Sequence, residues 1–523
     1  MLHLITESSK YVMIFLFMIY TYYSFAVLSV KNEARQRRMC KSQTTCMMLI
    51  HLDAFLVLFA AQMQIKILIF YAAQVAFVLF LFLIYRVIYR RAARLVVNHM
   101  CMLMIIGFII LTRLNLESAI KQFEIAVIAS VVTIFVPQLV RKLKFLRKFT
   151  WVYCAIGILA LGVVLVLGQM TGGAYLSFTI AGITFQPSEF VKIIFVFFVA
   201  CMLYQSTDFK QVCITTVAAA IHVLILVVST DLGAALIFFI TYIVMLYAAT
   251  KKPLYFFGGL GVGCLAAVAA KLFSHVRVRV TAWLDPFGNI SGSGWQVAQS
   301  LFAIGTGGWF GLGLYQGLPE KIPVGSSDFV FAAIVEEMGE IFGICIILVC
   351  LSCFLMFLNI AMQLKDPFYR LIALGLGCVY GVQVFLNIGG VIKCIPSTGL
   401  TLPLISYGGS SILCTIIMFA IIQGLYILRQ DEGEADEQRK KRLNPRRYRD
   451  SGSGRQSERK KEEYTVREDN NKDRYGRNKT AGNSGKNGKN GKSSKNGKST
   501  TGSSGSGRSS SGFGRKDEIE EIW

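Results

Sequence analysis

Charged side chains inside the apolar stretches of this 523-residue chain are few, and those few are where chemistry must be sought. A charge held in hydrocarbon is costly and persists only with a partner or a task. Glu189 and Lys192, in Q-P-S-E-F-V-K, lie three apart and share a helix face. They form either a neutralised pair that anchors a helix end or part of a polar site, and Pro187 suits the first turn of that helix. Asp231, in S-T-D-L-G-A-A, opens another helix, where a carboxylate caps the first turn. Arg277 and Arg279 stand at the end of an apolar stretch, either as snorkelling anchors or as a fork-shaped clamp for phosphate. Asp328 is the sharpest candidate, at the junction of a polar loop and the run F-V-F-A-A-I-V. There it is a dipole partner of the first turn or a general base at the mouth of a wet cavity. Glu336 and Glu337 follow two turns on, adjacent acids that need partners in apolar surroundings, whereas His51 and Asp53 read as isolated structural residues.

The elements that must position these groups are membrane helices. Hydrophobic residues make up 54% of the chain, in continuous runs that fit helices of bilayer length and not the alternation of a membrane barrel. Thirteen spans are expected: Tyr11–Val30, Cys46–Met63, Ile67–Tyr85, Val96–Leu111, Phe123–Val140, Trp151–Gly168, Phe190–Tyr204, Gln211–Thr230, Leu232–Ala249, Tyr255–Phe273, Phe329–Met362, Leu371–Val391 and Leu404–Leu428. Phe329–Met362 is too long for one perpendicular span and is expected to tilt or extend beyond the bilayer. The first span lacks a cleavage motif and is followed by the basic K-N-E-A-R-Q-R-R-M-C-K, so it reads as an uncleaved helix.

The net charge of +23 does not point to nucleic acid, because the basic residues cluster in short loops and in the C-terminal part. Starting from an outside N-terminus, the loops around Arg37, Arg90, Arg141, Lys251 and Lys365 all fall on the cytoplasmic side. That places the polar insertion of residues 274–327 outside and the C-terminus inside. The insertion is read as a functional loop without obvious secondary structure. Its glycines, Gly305, Gly307, Gly308, Gly311 and Gly313, lack the Lys-Ser/Thr that a phosphate-binding P-loop requires, so tight turns and close packing are expected. I-P-S-T-G-L-T-L-P-L-I-S-Y-G-G-S-S, with its prolines and glycines, reads as a broken or re-entrant segment. Thirteen scattered cysteines show no zinc-like or paired spacing and read as small buried hydrophobes. Residues 430–523 are expected to be a disordered basic cytoplasmic tail, lying on anionic lipid headgroups or simply solvated, with D-E-I-E-E-I-W as a docking peptide at its end.

Taken together, Q-P-S-E-F-V-K, D-L-G-A-A-L, W-L-D-P-F-G-N, G-W-Q-V-A-Q-S, S-D-F-V-F-A-A-I-V-E-E-M-G and P-S-T-G-L-T-L-P-L-I-S-Y-G-G-S-S resemble the SEDS proteins (FtsW, RodA, SpoVE). The resemblance implies an all-α polytopic protein with a ten-helix catalytic core over 96–429, here preceded by about three extra helices in 1–95. It implies a peptidoglycan glycosyltransferase in the bacterial cytoplasmic membrane that polymerises lipid II into β-1,4 glycan strands, with a class B penicillin-binding protein as partner. Asp328 matches the family's essential acid, and Glu189 and Lys192 match its glutamate–lysine pair. Substrate contacts are expected from these two and from Arg277, Arg279, Gln299, Ser300, Glu336, Glu337 and Ser406. No resident metal is implied, and a divalent cation, magnesium or manganese, is compatible with a pyrophosphate leaving group. The family's arginine and tryptophan ahead of Q-P-S-E are absent, the chain carrying G-G-A-Y-L-S-F instead. The rival readings are a flippase for the lipid-linked sugar, which would use a midplane site and repeat symmetry, and a non-catalytic scaffold.

Overall fold

The computed structural model describes residues 2–142, 144–171, 174–180 and 183–443. Residues 1–440 form one compact unit. Among the described residues thirteen helical spans are long and apolar enough to cross a membrane, as the run lengths predict. The first three are α1 (Leu2–Ser29), α2 (Glu33–Gln62) and α3 (Ile65–Val87). Then come α4 (Arg94–Leu114), α5 (Leu116–Thr133) continued by α6 (Val136–Lys142), and α7 (Thr150–Leu167). They are followed by α8 (Pro187–Gln205), α9 (Phe209–Val228), α10 (Leu232–Thr250) and α11 (Pro253–Ala270). Two shorter helices, α12 (Ser274–Leu284) and α13 (Trp295–Gly307), occupy the insertion expected to lack secondary structure. The remainder is α14 (Val330–Met338), α15 (Glu340–Gln363), α16 (Pro367–Val391) and α17 (Gly409–Leu443). Between α7 and α8 lie three short antiparallel strands, β1 (Gln169–Thr171), β2 (Ala174–Ile180) and β3 (Ile183–Phe185), in that order.

Local sequence sets the helix starts. Asn32, Asn115, Asp231 and Asp366 each accept a backbone N–H of the first turn of α2, α5, α10 and α16. Pro187, Pro253 and Pro367 occupy the opening turns of α8, α11 and α16, where a missing N–H costs nothing.

α4 is the central post of the bundle, buried without interruption from Leu95 to Thr112. A polar seam joins it to α1, α2 and α15. Gln43 donates to Ser24 Oγ (3.0 Å), and Asn98 donates to Gln43 Oε1 (3.1 Å) and to the Cys40 carbonyl (2.9 Å). His99 meets the Tyr20 hydroxyl and Ser352 Oγ, each at 3.1 Å, and Ser352 donates to the Ser24 carbonyl (3.2 Å). In lipid the hydrophobic effect does not drive helix association, so such bonds and close packing fix which faces meet. Ten of the thirteen cysteines are buried, and all are free thiols.

At the Arg94 end of α4 the basic loops meet acids of α17: Arg91 and Arg141 pair with Asp431 (2.9 and 2.5 Å), and Lys365 pairs with Asp436. The expected tail boundary after residue 429 is therefore corrected. The helix runs on to Leu443, and its acids Asp431, Glu434 and Asp436, still partly exposed, pair with basic loop residues. The rest of the expected tail, with the D-E-I-E-E-I-W end, lies outside the described residues.

Candidate active site

The expected long span Phe329–Met362 is broken in the structure. Gly339, at φ +89°, separates α14 from α15, and only Glu340–Gln363 is a membrane-spanning segment. A helix break strands carbonyls on one side and N–H groups on the other. The glycine-rich segment 308–313 supplies both sets. Leu312 and Gly313 donate to the Glu336 and Glu337 carbonyls (3.0 and 2.7 Å), while Glu340 and Ile341 donate to the Gly308 and Trp309 carbonyls (2.8 and 3.2 Å). Only glycine fits here: a Cβ on Gly311, which sits at φ +75°, would stand 2.3 Å from the Glu337 carbonyl oxygen. Gly307 and Gly311 thus line a close backbone approach to α14, while Gly305 and Gly308 face open space. The segment plugs the broken helix.

The acids of α14 complete this plug. Glu337 accepts from Arg113 Nε (2.8 Å) and the Tyr315 N–H (3.2 Å), and Glu336 accepts from the Leu318 N–H (3.0 Å). Arg113 also bonds the Gly317 carbonyl (3.2 Å), pairs with Glu320 (3.4 Å) and stacks 4.3 Å from the Tyr315 ring centre. Burial pushes the Glu337 carboxyl up to about 7, and Arg113 and the Tyr315 N–H pull the other way. These contacts face the loop.

Asp328 stands immediately ahead of α14, half-buried. Its partner surface is the segment 396–408, which dips into the bundle: a Cβ on Gly107, midway along α4, would lie 2.7 Å from the Ile405 carbonyl. Leu402, Leu404 and Ile405 are buried there, so the re-entrant backbone is covered by protein, as lipid requires. Tyr407 N–H donates to the Ser326 carbonyl (2.8 Å), and Ser406 bridges the Ser327 carbonyl and the Leu402 N–H. Asn387 donates to both the Asp328 and Leu400 carbonyls (2.9 and 2.6 Å). Asp328 Oδ2 and Arg279 Nη2 converge on Gly399, within 3.6 and 3.9 Å of where its Cβ would be. The Arg279 guanidinium donates through Nη1 to the Thr398 carbonyl (3.1 Å). Burial raises the Asp328 carboxyl above the ordinary carboxylate range, and Ser327 and Arg279 draw it part of the way back.

One turn before Asn387 on α16, Gln383 links this group to α8. Lys192 donates to Glu189 and to Gln383 Oε1, each at 2.8 Å, and Gln383 donates to the Thr401 carbonyl (3.0 Å). Ser188 donates to Asp231, which also caps α10 (3.2 and 3.1 Å). Segments more than a hundred residues apart thus meet at the Arg113 end of α4.

The predicted site residues divide. Asp328, Arg279, Glu189 and Lys192 are brought together around the re-entrant segment. Ser406 and Ser300 bond backbone carbonyls, the latter that of Val391 (3.0 Å). Arg277 is exposed and Gln299 half-buried, while Glu336 and Glu337 serve the loop plug. Gln383, Asn387, Thr401 and Arg113 were missed. The first two carry a signal, amide side chains at i and i+4 inside an apolar span, whereas Arg113, at the end of an apolar run, carries none. Among the described residues no group of three His, Cys, Asp or Glu side chains is suited to a metal ion. The donor set near Asp328 does not fit a resident cation, since Arg279 neighbours Asp328 and Lys192 neutralises Glu189.

Residues 93–430 match the family described as cell cycle protein, FtsW/RodA/SpoVE. The chain is 35% identical over 267 residues to the peptidoglycan glycosyltransferase RodA of Mycobacterium bovis, a match covering 48% of this chain and 57% of that relative. It is 31% identical over 292 residues to the probable peptidoglycan glycosyltransferase FtsW of Aeromonas salmonicida, covering 54% and 74%. The chain therefore spans little more than half the length of the mycobacterial relative. A chain in a solved structure of a peptidoglycan synthase complex shares the fold, with TM-score 0.56 and 23% identity over 65% of this chain and 98% of that one.

Proposed function

We propose that this chain, which belongs to the FtsW/RodA/SpoVE family, polymerises lipid II into glycan strands at the outer face of a bacterial cytoplasmic membrane. The relatives' names support the activity, and the observation that carries the site is the convergence of Asp328 and Arg279 on Gly399. In this reading the GlcNAc 4-hydroxyl gives its proton to the Asp328 carboxylate and its oxygen forms a bond to the anomeric carbon of MurNAc. The bond from that carbon to the pyrophosphate oxygen breaks, and its electron pair leaves on the undecaprenyl pyrophosphate. One displacement converts an α-linkage to a β-linkage. Pyrophosphate leaves readily, so the step needs a base and positive charge but no general acid. Arg279, with Nη1 spent on a carbonyl, has its remaining donors for the phosphates, and Arg277 is exposed two residues earlier in the same helix. Lys192, its charge neutralised by Glu189, braces the re-entrant segment through Gln383, which donates to the Thr401 carbonyl.

The positive-inside pattern supports an outside N-terminus and a cytoplasmic C-terminus, with 1–95 as an added helical domain ahead of a catalytic domain at 96–429. The gathering of polar groups at one end of the helices favours polymerisation over transport through a midplane site. The peptidoglycan synthase complex that shares the fold supports a penicillin-binding protein as partner.

The test gives purified protein and its partner lipid II, and compares Asp328→Ala with the parent. Glycan strands from the parent and none from the variant are expected. Equal polymerisation by the variant would show that the base is elsewhere.

A further inference from the structure

The family match begins at residue 93, so it assigns nothing to α1, α2 and α3. α1 and α2 nevertheless reach the plug at the helix break. Lys10 on α1 is only 8% exposed and donates to the Gly311 carbonyl (3.1 Å), in the middle of the segment threaded between α14 and α15. Its charge is balanced by Glu7 (2.8 Å). The neighbouring Tyr11 ring packs 5.5 Å from Phe310, and Thr6 Cγ2 would be 2.8 Å from a Cβ on Gly313. From α2, Gln62 donates to the Tyr315 hydroxyl, and Asp53 accepts from Ser9 of α1 (2.7 Å). The loop is thus gripped on its far side by helices the family match does not include, while its near side holds the carbonyls of α14. A buried lysine spent on a carbonyl is a specific use of an expensive residue.

We propose that Lys10 is a positioning residue for Asp328, with α1 and α2 forming a built-in clasp that fixes the 308–313 plug. The chain of contacts runs from Lys10 to Gly311, from Leu312 and Gly313 to Glu336 and Glu337, and along rigid α14 to Asp328, two residues before its start. A shift of about 1 Å at a catalytic base is enough to cost activity about a hundredfold. The inference rests on the polymerase reading.

The experiment compares the full-length parent, Lys10→Met and Lys10→Arg by lipid II polymerisation and by hydrogen exchange of peptides covering 308–320, α14, α4 and α15. Expected in Lys10→Met are faster exchange confined to the 308–320 and α14 peptides, a fall in kcat of about tenfold with KM within twofold, and recovery of most activity in Lys10→Arg. Unchanged exchange, unchanged kcat in an active parent, or faster exchange spread equally over α4 and α15 would each overturn it. An inactive parent would sink the polymerase reading alone, and the exchange arm would still decide whether Lys10 holds the loop.

Discussion

Replacing Arg113 by methionine removes the one cation on the buried Glu337 carboxylate while keeping most of the side-chain volume. At 2.8 Å and an effective dielectric near 20 the pair attracts by about 6 kcal/mol before desolvation is charged against it. Breaking one partner of such a pair typically costs about 3–5 kcal/mol. The pH dependence is the sharper part. The Glu337 carboxyl is raised from 4.5 to about 7 by burial, against the pull of Arg113. A carboxylate with a raised folded value binds its proton more tightly when folded. Its stabilising contribution is therefore full below 4.5 and is lost as pH rises towards 7, where it levels off as the paired carboxylate ionises. Without Arg113 the folded value climbs further, so the variant keeps losing stability above 7. Ionisation at pH 8 of a group titrating near 7 contributes about 1.4 kcal/mol to the parent and almost nothing at pH 6. The penalty of Arg113→Met should therefore grow by about 1.4 kcal/mol from pH 6 to pH 8. Denaturant unfolding in detergent, followed with a thiol-reactive dye against the buried cysteines, measures this, and Glu337→Gln with Arg113→Met removes the pH dependence. A penalty equal at both pH values, or undiminished in the double variant, would refute the reasoning.

Asp328→Asn should lower polymerisation at least about a hundredfold. The acid limb of the parent's pH–rate profile should move to higher pH in Arg279→Gln, because removing a nearby cation raises the carboxyl further. Lys192→Met leaves Glu189, 6% exposed at its side chain, without its counter-charge. It should destabilise by about 3–5 kcal/mol, with most of the loss recovered in Lys192→Met/Glu189→Gln by the same unfolding assay. Gly311→Ala must combine a positive φ with a Cβ 2.3 Å from a carbonyl oxygen, so size-exclusion profiles should show loss of the folded species.

The membrane architecture was legible because hydrocarbon thickness imposes a length on every span, and thirteen runs met it. The break at Gly339 was not, since E-E-M-G-E-I-F-G continues one apolar run and the partner backbone that makes the break tolerable lies at 308–313. The same long-range pairing hid the structural use of Glu336 and Glu337. Charge singled out Asp328, Arg279, Glu189 and Lys192, but neutral Gln383 and Asn387, which tie Lys192 and the Asp328 carbonyl to α16, carry no charge to notice. The continuation of α17 past residue 429 depended on Arg91 and Arg141, far away in sequence.

The polar seam between α1, α2, α4 and α15 makes the N-terminal helices a keyed part as well as a greasy one. The Tyr20 hydroxyl, the Ser24 carbonyl and Gln43 Oε1 meet His99, Ser352 and Asn98 across the seam, so a one-residue slip or a turn about the helix axis breaks all three bonds in lipid. The covalent link through residues 88–93 then acts by raising effective concentration, and the address itself is carried by the seam. Residues 1–92 made as a separate chain should find the same berth in the same membrane, and a cut in that link should leave the bundle assembled.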